Sequence, residues 1–132
     1  MLGTSDVIAF ASTTDLGNAR SFYADVLGLR LVDDNDYACV FDAHGTMLRV
    51  TLVADVAHPG YTVLGWRVPD IYETIAHLES AGVAFARYDG MEQDAHGVWT
   101  TPSGDRIAWF SDPDANVLSL TQFHLHDVPS PA

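Results

Sequence analysis

Apolar positions along this chain follow two rhythms, a helical one and an alternating one, and the combination occurs twice. Leu16, Ala19, Phe22, Tyr23, Val26 and Leu27 recur at three- and four-residue steps, the period of one helix face. Asp15 precedes them as an N-cap, and Gly28 stands where a left-handed residue closes a helix. A second stripe, Ile71, Ile75 and Leu78, is opened by Asp70, with Glu73 at capping-box spacing, and closed by Gly82. Short runs rich in β-branched and aromatic residues, bounded by turn residues, surround both helices. Residues 6–12 precede the first helix; 29–32, 37–41 and 47–53 follow it, split by Asp33-Asp34-Asn35-Asp36 and His44-Gly45. After a linker at 55–60 the order returns: 61–68, the second helix, then 83–88, 105–111 and 117–122. The caps Asp15 and Asp70 stand at matching points, so the pattern predicts one βαβββ unit written twice.

The expected organisation is a single α+β domain. Module one spans about 5–54, the linker 55–60, module two about 61–123, and a Pro- and Ser-containing tail 124–132. The second copy holds an insertion, 89–104, with Met91, Trp99 and Pro102 among polar residues. It has room for a short strand of its own or for a lid.

Composition narrows the function classes. At 132 residues and 48% apolar content the chain is sized for one packed domain. No apolar run approaches the roughly 20 residues a membrane helix needs. The start, Met1 to Asp6, has neither a basic nor a cleavable apolar segment, so a secretion signal is not expected. The lone Cys39 rules out an intrachain disulfide and suits a reducing, cytoplasmic setting; its apolar neighbours predict a buried, inert thiol. Six basic residues against eighteen acidic ones give a net charge of −12, which repels nucleic acid and anionic membrane surfaces. The same field attracts cationic ligands, or simply keeps the chain soluble. Every basic residue is an arginine, so Schiff-base and lysine general-base chemistry are excluded.

Three marks in order carry a family resemblance. They are Asp15-Leu16 with Ala19, Phe22-Tyr23 and Leu27-Gly28-Leu29; Val68-Pro69-Asp70-Ile71; and Trp109-Phe110-Ser111-Asp112-Pro113-Asp114-Ala115-Asn116. Over residues 6–123 the chain resembles the vicinal oxygen chelate superfamily, the glyoxalase/bleomycin resistance protein/dioxygenase group. One departure is Ala115, where that family favours glycine, which predicts an altered or mildly strained turn.

The resemblance implies two curved mixed sheets, helices on their outer faces and a cavity within, often completed by a homodimer. Whether the modules close within one chain or swap between chains stays open at this stage. Strand alternation assigns the faces. Ile8, Phe10 and Ser12 are expected toward the ligand, and Val7, Ala9 and Ala11 toward a helix. Val63, Gly65 and Arg67 are expected toward the ligand, and Leu64, Trp66 and Val68 toward the core.

Metal-dependent relatives place one ligand on each of four strands, two of them seven residues before the helix-opening aspartates. Here those two are Ile8 and Val63, and the other two positions align with Arg49 and Ser119. Hydrocarbon offers no electron pair, and a guanidinium repels a cation, so neither metal nor other cofactor is expected. The histidines His44, His58, His77 and His96 are dispersed; His124 and His126 share a strand-face spacing but fall at the tail. Arg49 then has two readings. Either it receives a ligand anion, aided by Arg67, or it pairs with an aspartate or reaches solvent at the rim.

The leading functional expectation is a metal-independent protein that binds a small antibiotic or metabolite, resembling bleomycin-resistance proteins. Its candidate lining is Ile8, Phe10, Arg49, Val63, Arg67, Trp99, Trp109 and Ser119, with Met91 nearby. The alternative is a lyase, isomerase or dioxygenase on the same scaffold, and a third is a regulatory domain with a vestigial cavity. For catalysis Glu92, Asp94, His96, Ser119 and Thr121 are available, but no pair has a spacing that marks a catalytic site.

Overall fold

The computed structural model describes residues 1–124. The chain divides into two compact units, the first Met1–Leu64 with Asp112–Asn116, the second Gly65–Ser111 with the segment from Val117 onward. The fold class is α+β, with a four-stranded sheet and a helix in each half.

The first sheet contains β1 (Ile8–Thr13), β2 (Arg30–Asp34), β3 (Ala38–Ala43) and β4 (Thr46–Leu52), in the order β1-β4-β3-β2. Strand β1 runs parallel to β4, and the other pairs are antiparallel, joined by turns. Between β1 and β2 lies α1 (Leu16–Ser21), which continues as a π-turn, Phe22–Val26. The Asp15 carboxylate accepts the Asn18 amide at 3.0 Å, and Gly28 exits at φ +77°, a left-handed value that a side chain would disfavour. Against α1 lies a core of Tyr23, Phe41, Leu48, Val50, Ala11 and Cys39, all buried. Burying one such large ring or aliphatic chain contributes about 1.5–3 kcal/mol. The Cys39 thiol donates to the Leu16 carbonyl at 3.5 Å, and burial followed by the nearby Asp34 raises its pKa, so it is a poor nucleophile.

The second sheet repeats the order with β5 (Leu64–Arg67), β6 (Trp99–Thr100), β7 (Arg106–Ser111) and β8 (Val117–Gln122), arranged β5-β8-β7-β6. Between β5 and β6 lies α2 (Ile71–Ser80), whose Asp70 cap accepts the Glu73 amide at 3.2 Å. Its Ile71, Ile75 and Leu78 are buried with Ala108, Phe110, Leu118 and Leu120 of the sheet it packs on.

Two expectations change here. Residues 83–88 do not form a strand; the corresponding strand is β6, inside the 89–104 insertion. The reason lies in Gln93. Its side-chain amide donates to the carbonyls of Ala86 (3.0 Å) and Gly97 (2.8 Å) and accepts the Tyr88 amide (2.8 Å), satisfying backbone groups that a strand partner would otherwise pair. Val7, expected against a helix, precedes β1 and is 75% exposed. Of the tail, only His124 is described, with its amide donating to Asp105 at 2.9 Å; His126 and the rest of 124–132 lie outside the described residues.

Candidate functional site

Residues paired across strands point to the same side of a sheet, so the register decides which of them share a surface. On the side of the first sheet away from α1, Ile8 pairs with Met47 and Met47 with Asp42, which pairs in turn with Arg30. The next row is Phe10, Arg49, Val40 and Asp33. Alternation holds along β1: Ala11 and Thr13 are buried, whereas Ile8 and Phe10 are 45% and 57% exposed. Met47 is 41% exposed. These apolar side chains are therefore surface available to a ligand, not core. Beside them an open groove of about 390 Å³ is lined by Ile8, Met47, Val32 and the Arg30–Asp42 pair.

Asp42 and Asp33 on this surface are already engaged, and Asp6 lines the groove as well. Asp42 accepts from Arg30 (3.2 Å) and from the Gly45 amide (3.0 Å), and the guanidinium first, then the amide, lowers its pKa below the usual carboxylate range. Asp33 turns to the Asp34 amide (2.9 Å) and the Asn35 side chain (3.3 Å). The side chain of half-buried Arg49 makes no hydrogen bond or ion pair among the described residues.

In the second unit, Trp109 pairs with Ser119 across β7 and β8, and Trp99 pairs with Ile107. Trp99 and Trp109 are therefore diagonal neighbours, with ring centroids 6.4 Å apart, and Tyr88 meets Trp109 edge-on at 5.6 Å. Together the three form an aromatic surface on the side of the sheet away from the Phe110 and Leu118 core. Ser119 is only 6% exposed beneath it. Val63, at the end of the first unit just before β5, is 36% exposed, and in the second unit exposed Arg67 lies 5.4 Å from the Phe123 ring centroid, a cation–π contact.

The expected ligand-facing residues thus fall into two groups, each on its own unit. Ile8, Phe10 and Arg49 share one surface; Trp99, Trp109 and Ser119 share another. Arg67 packs on Phe123. Met91 lies in the turn after Tyr88, its amide 3.3 Å from the Tyr88 carbonyl. Met47 and Tyr88 were not singled out from the sequence. Two-residue alternation with Arg49 was the available signal for Met47, whereas Tyr88 depends on a packing contact with no local signature.

The donor chemistry at the four strand positions does not fit a metal. Ile8 and Val63 have no donor atom, Arg49 is a cation, and Ser119 offers one neutral hydroxyl. Among the described residues no three His, Cys, Asp or Glu side chains come together as a metal-holding group. Among the insertion's acid–base candidates, Asp94 is already engaged. Burial works against the Asp94 charge, but the Tyr72 hydroxyl (2.6 Å) and the amides of Val98 (3.0 Å) and His96 (2.9 Å) outweigh it and lower its pKa. A depressed carboxylate is a weak general base.

The third sequence mark acts structurally. The buried Asp112 carboxylate accepts the Tyr23 hydroxyl at 2.6 Å, the amides of Asp114 (2.9 Å) and Asn116 (3.0 Å), and the Asn116 side chain (2.8 Å). Asp114 accepts the Thr13 hydroxyl (2.5 Å) and the Thr14 amide (2.9 Å) and hydroxyl (3.0 Å), and Asn116 donates to the Ser12 carbonyl at 2.8 Å. This turn ties down the end of β1, the strand that presents Ile8 and Phe10. Ala115 takes φ +63°, as the missing glycine predicted.

Comparison with known proteins gives a consistent picture. A sequence model described as Glyoxalase/Bleomycin resistance protein/Dioxygenase superfamily matches residues 6–120. Among solved structures, a genomically encoded fosfomycin resistance protein from Listeria monocytogenes superposes with a TM-score of 0.73 at 13% identity, covering 92% of this chain and 95% of that one. A superfamily member from Sphaerobacter thermophilus gives 0.66 at 26% identity, with 89% and 97% covered. A lactoylglutathione lyase from Agrobacterium tumefaciens gives 0.69 at 18%, with 89% and 93% covered. No curated protein matches.

Proposed function

This chain belongs to the glyoxalase/bleomycin resistance protein/dioxygenase superfamily, and we propose that within it the chain is a metal-independent protein that binds a small antibiotic or metabolite. The observation that carries this reading is the surface of Ile8, Phe10, Met47 and Arg49. Exposed apolar side chains and a guanidinium stand there, in place of the carboxylates and imidazoles a divalent cation needs. The aromatic group of Tyr88, Trp99 and Trp109 adds a second apolar contact area. The fosfomycin resistance protein is an instance of this scaffold serving antibiotic resistance.

An enzymatic role finds less support. The Asp94 carboxylate is committed to Tyr72 and to two backbone amides, and the His96 ring packs edge-on against Tyr72, with centroids 5.5 Å apart.

The test measures metal content after purification without chelator, together with binding of a panel of antibiotics and aromatic metabolites followed by tryptophan emission. Saturable binding without turnover and without stoichiometric metal is expected. A tightly held divalent ion at one per chain overturns the reading.

A further inference from the structure

We propose that the ligand carries an oxyanion bound by Arg49 and a flat apolar body lying across Phe10, Met47 and Ile8; this rests on the small-molecule-binding reading above. Arg20 pairs with Asp34 at 2.6 Å and Arg30 with Asp42. Arg87 donates to the carbonyls of Asp94 and Ala95, both at 2.6 Å. Arg67 lies over Phe123 and Arg106 over Tyr72. Arg49 alone has no hydrogen bond, ion pair or ring contact among the described residues.

That isolation is unexpected in a chain with eighteen carboxylates. A half-buried guanidinium carries five donors and loses hydration without recompense unless an acceptor arrives. Asp33 and Asp42, on the same face as Arg49, are turned to partners of their own, and Asp6, which also lines the groove, makes no ion pair with Arg49. Local charge complementarity therefore favours an anion at this position, against the sign of the overall field. This separates the two readings that net charge leaves in conflict.

The neighbours of Arg49 specify the rest of the ligand. Phe10 and Val40 are its direct cross-strand partners, and the row of Ile8 and Met47 runs alongside. Exposed Phe10 offers a ring to stack on, one strand from the guanidinium, and the groove beside Ile8 and Met47 accepts an apolar extension. An aromatic carboxylate matches both features.

The experiment is isothermal titration of the full chain with 2-naphthoate and with 2-naphthamide, its uncharged counterpart, for wild type, Arg49→Met, Arg49→Lys and Phe10→Ala. Circular dichroism checks each fold. A charge-assisted pair predicts that wild type prefers 2-naphthoate by roughly tenfold to a hundredfold. Arg49→Met is expected to abolish that preference, weakening 2-naphthoate far more than 2-naphthamide. Arg49→Lys is expected to retain part of the preference, and Phe10→Ala to weaken both probes alike. Equal affinity of wild type for the two probes, or an unchanged preference in Arg49→Met, overturns the anion assignment and leaves small-molecule binding standing. No binding of either probe overturns the aromatic-anion assignment, while the ligand panel and metal measurement above decide the small-molecule reading separately.

Discussion

The Tyr23 hydroxyl donates a 2.6 Å hydrogen bond to Asp112, joining two buried side chains that lie 89 residues apart in the chain. Burial first, then the charge of Asp112, pushes the phenol pKa far upward, so Tyr23 stays protonated and remains the donor at any ordinary pH. The bond links the helix of the first module to a turn between two strands of the second sheet.

Removing that donor is expected to be costly. Tyr23→Phe preserves the ring packing against Phe41 but leaves the buried carboxylate one partner short. A loss of about 1.5–3 kcal/mol is expected, the usual size for a hydrogen bond to a charged group. Urea unfolding measures it, and a change under about 0.5 kcal/mol, within the usual noise of surface substitutions, contradicts the clasp as described.

The same turn contains an opportunity for stabilisation. Ala115 sits at φ +63°, where an L side chain is strained by about 1–2 kcal/mol. Ala115→Gly relieves the strain but gives back some chain entropy, so a net gain of about 0.5–1 kcal/mol is expected. Thermal unfolding tests it; a lower midpoint would show that the alanine is not strained.

Acid sensitivity follows from Asp114. Burial opposes its charge, but the Thr13 hydroxyl and the Thr14 amide and hydroxyl outweigh it and depress the folded-state pKa. A depressed folded value means the stabilisation is present above the unfolded value of about 3.9 and disappears as pH falls through the folded one. Stability is expected to decline below about pH 4, with a shallower decline in Asp114→Asn. Urea midpoints across that window decide, and identical slopes for the two proteins count against the assignment.

Gln93 provides a local test of how the insertion is held. Gln93→Leu deletes both bonds to the Ala86 and Gly97 carbonyls and frees the Tyr88 amide. Hydrogen exchange at Tyr88 is expected to accelerate by roughly tenfold or more, while the amides of β7 and β8 keep their protection. Unchanged exchange at Tyr88 would mean that the segment is held by something else.

Much of the architecture was legible in the order of residues. Asp15 with Gly28, and Asp70 with Gly82, bracket the helices as read, because capping geometry involves only residues within a turn of each other. Exposed Ile8 and Phe10 opposite buried Ala11 follow from the pleat, as does the alternation of Val63, Gly65 and Arg67 with Leu64, Trp66 and Val68. That hydrocarbon stands at Ile8 and Val63 was a matter of counting back from those caps, and Arg49 and Ser119 were placed by aligning the later strands.

Other features depended on which distant groups meet. That Gln93 pairs the backbone of 86–97 and moves the strand to Trp99–Thr100 is invisible in a period-two pattern, since a side-chain amide leaves no trace in hydrophobicity. Local periodicity reports only which face a residue occupies. Whether Asp112 finds Tyr23, and whether Arg49 finds any carboxylate, is decided by chain closure over long separations, and that is settled only when the tertiary structure forms.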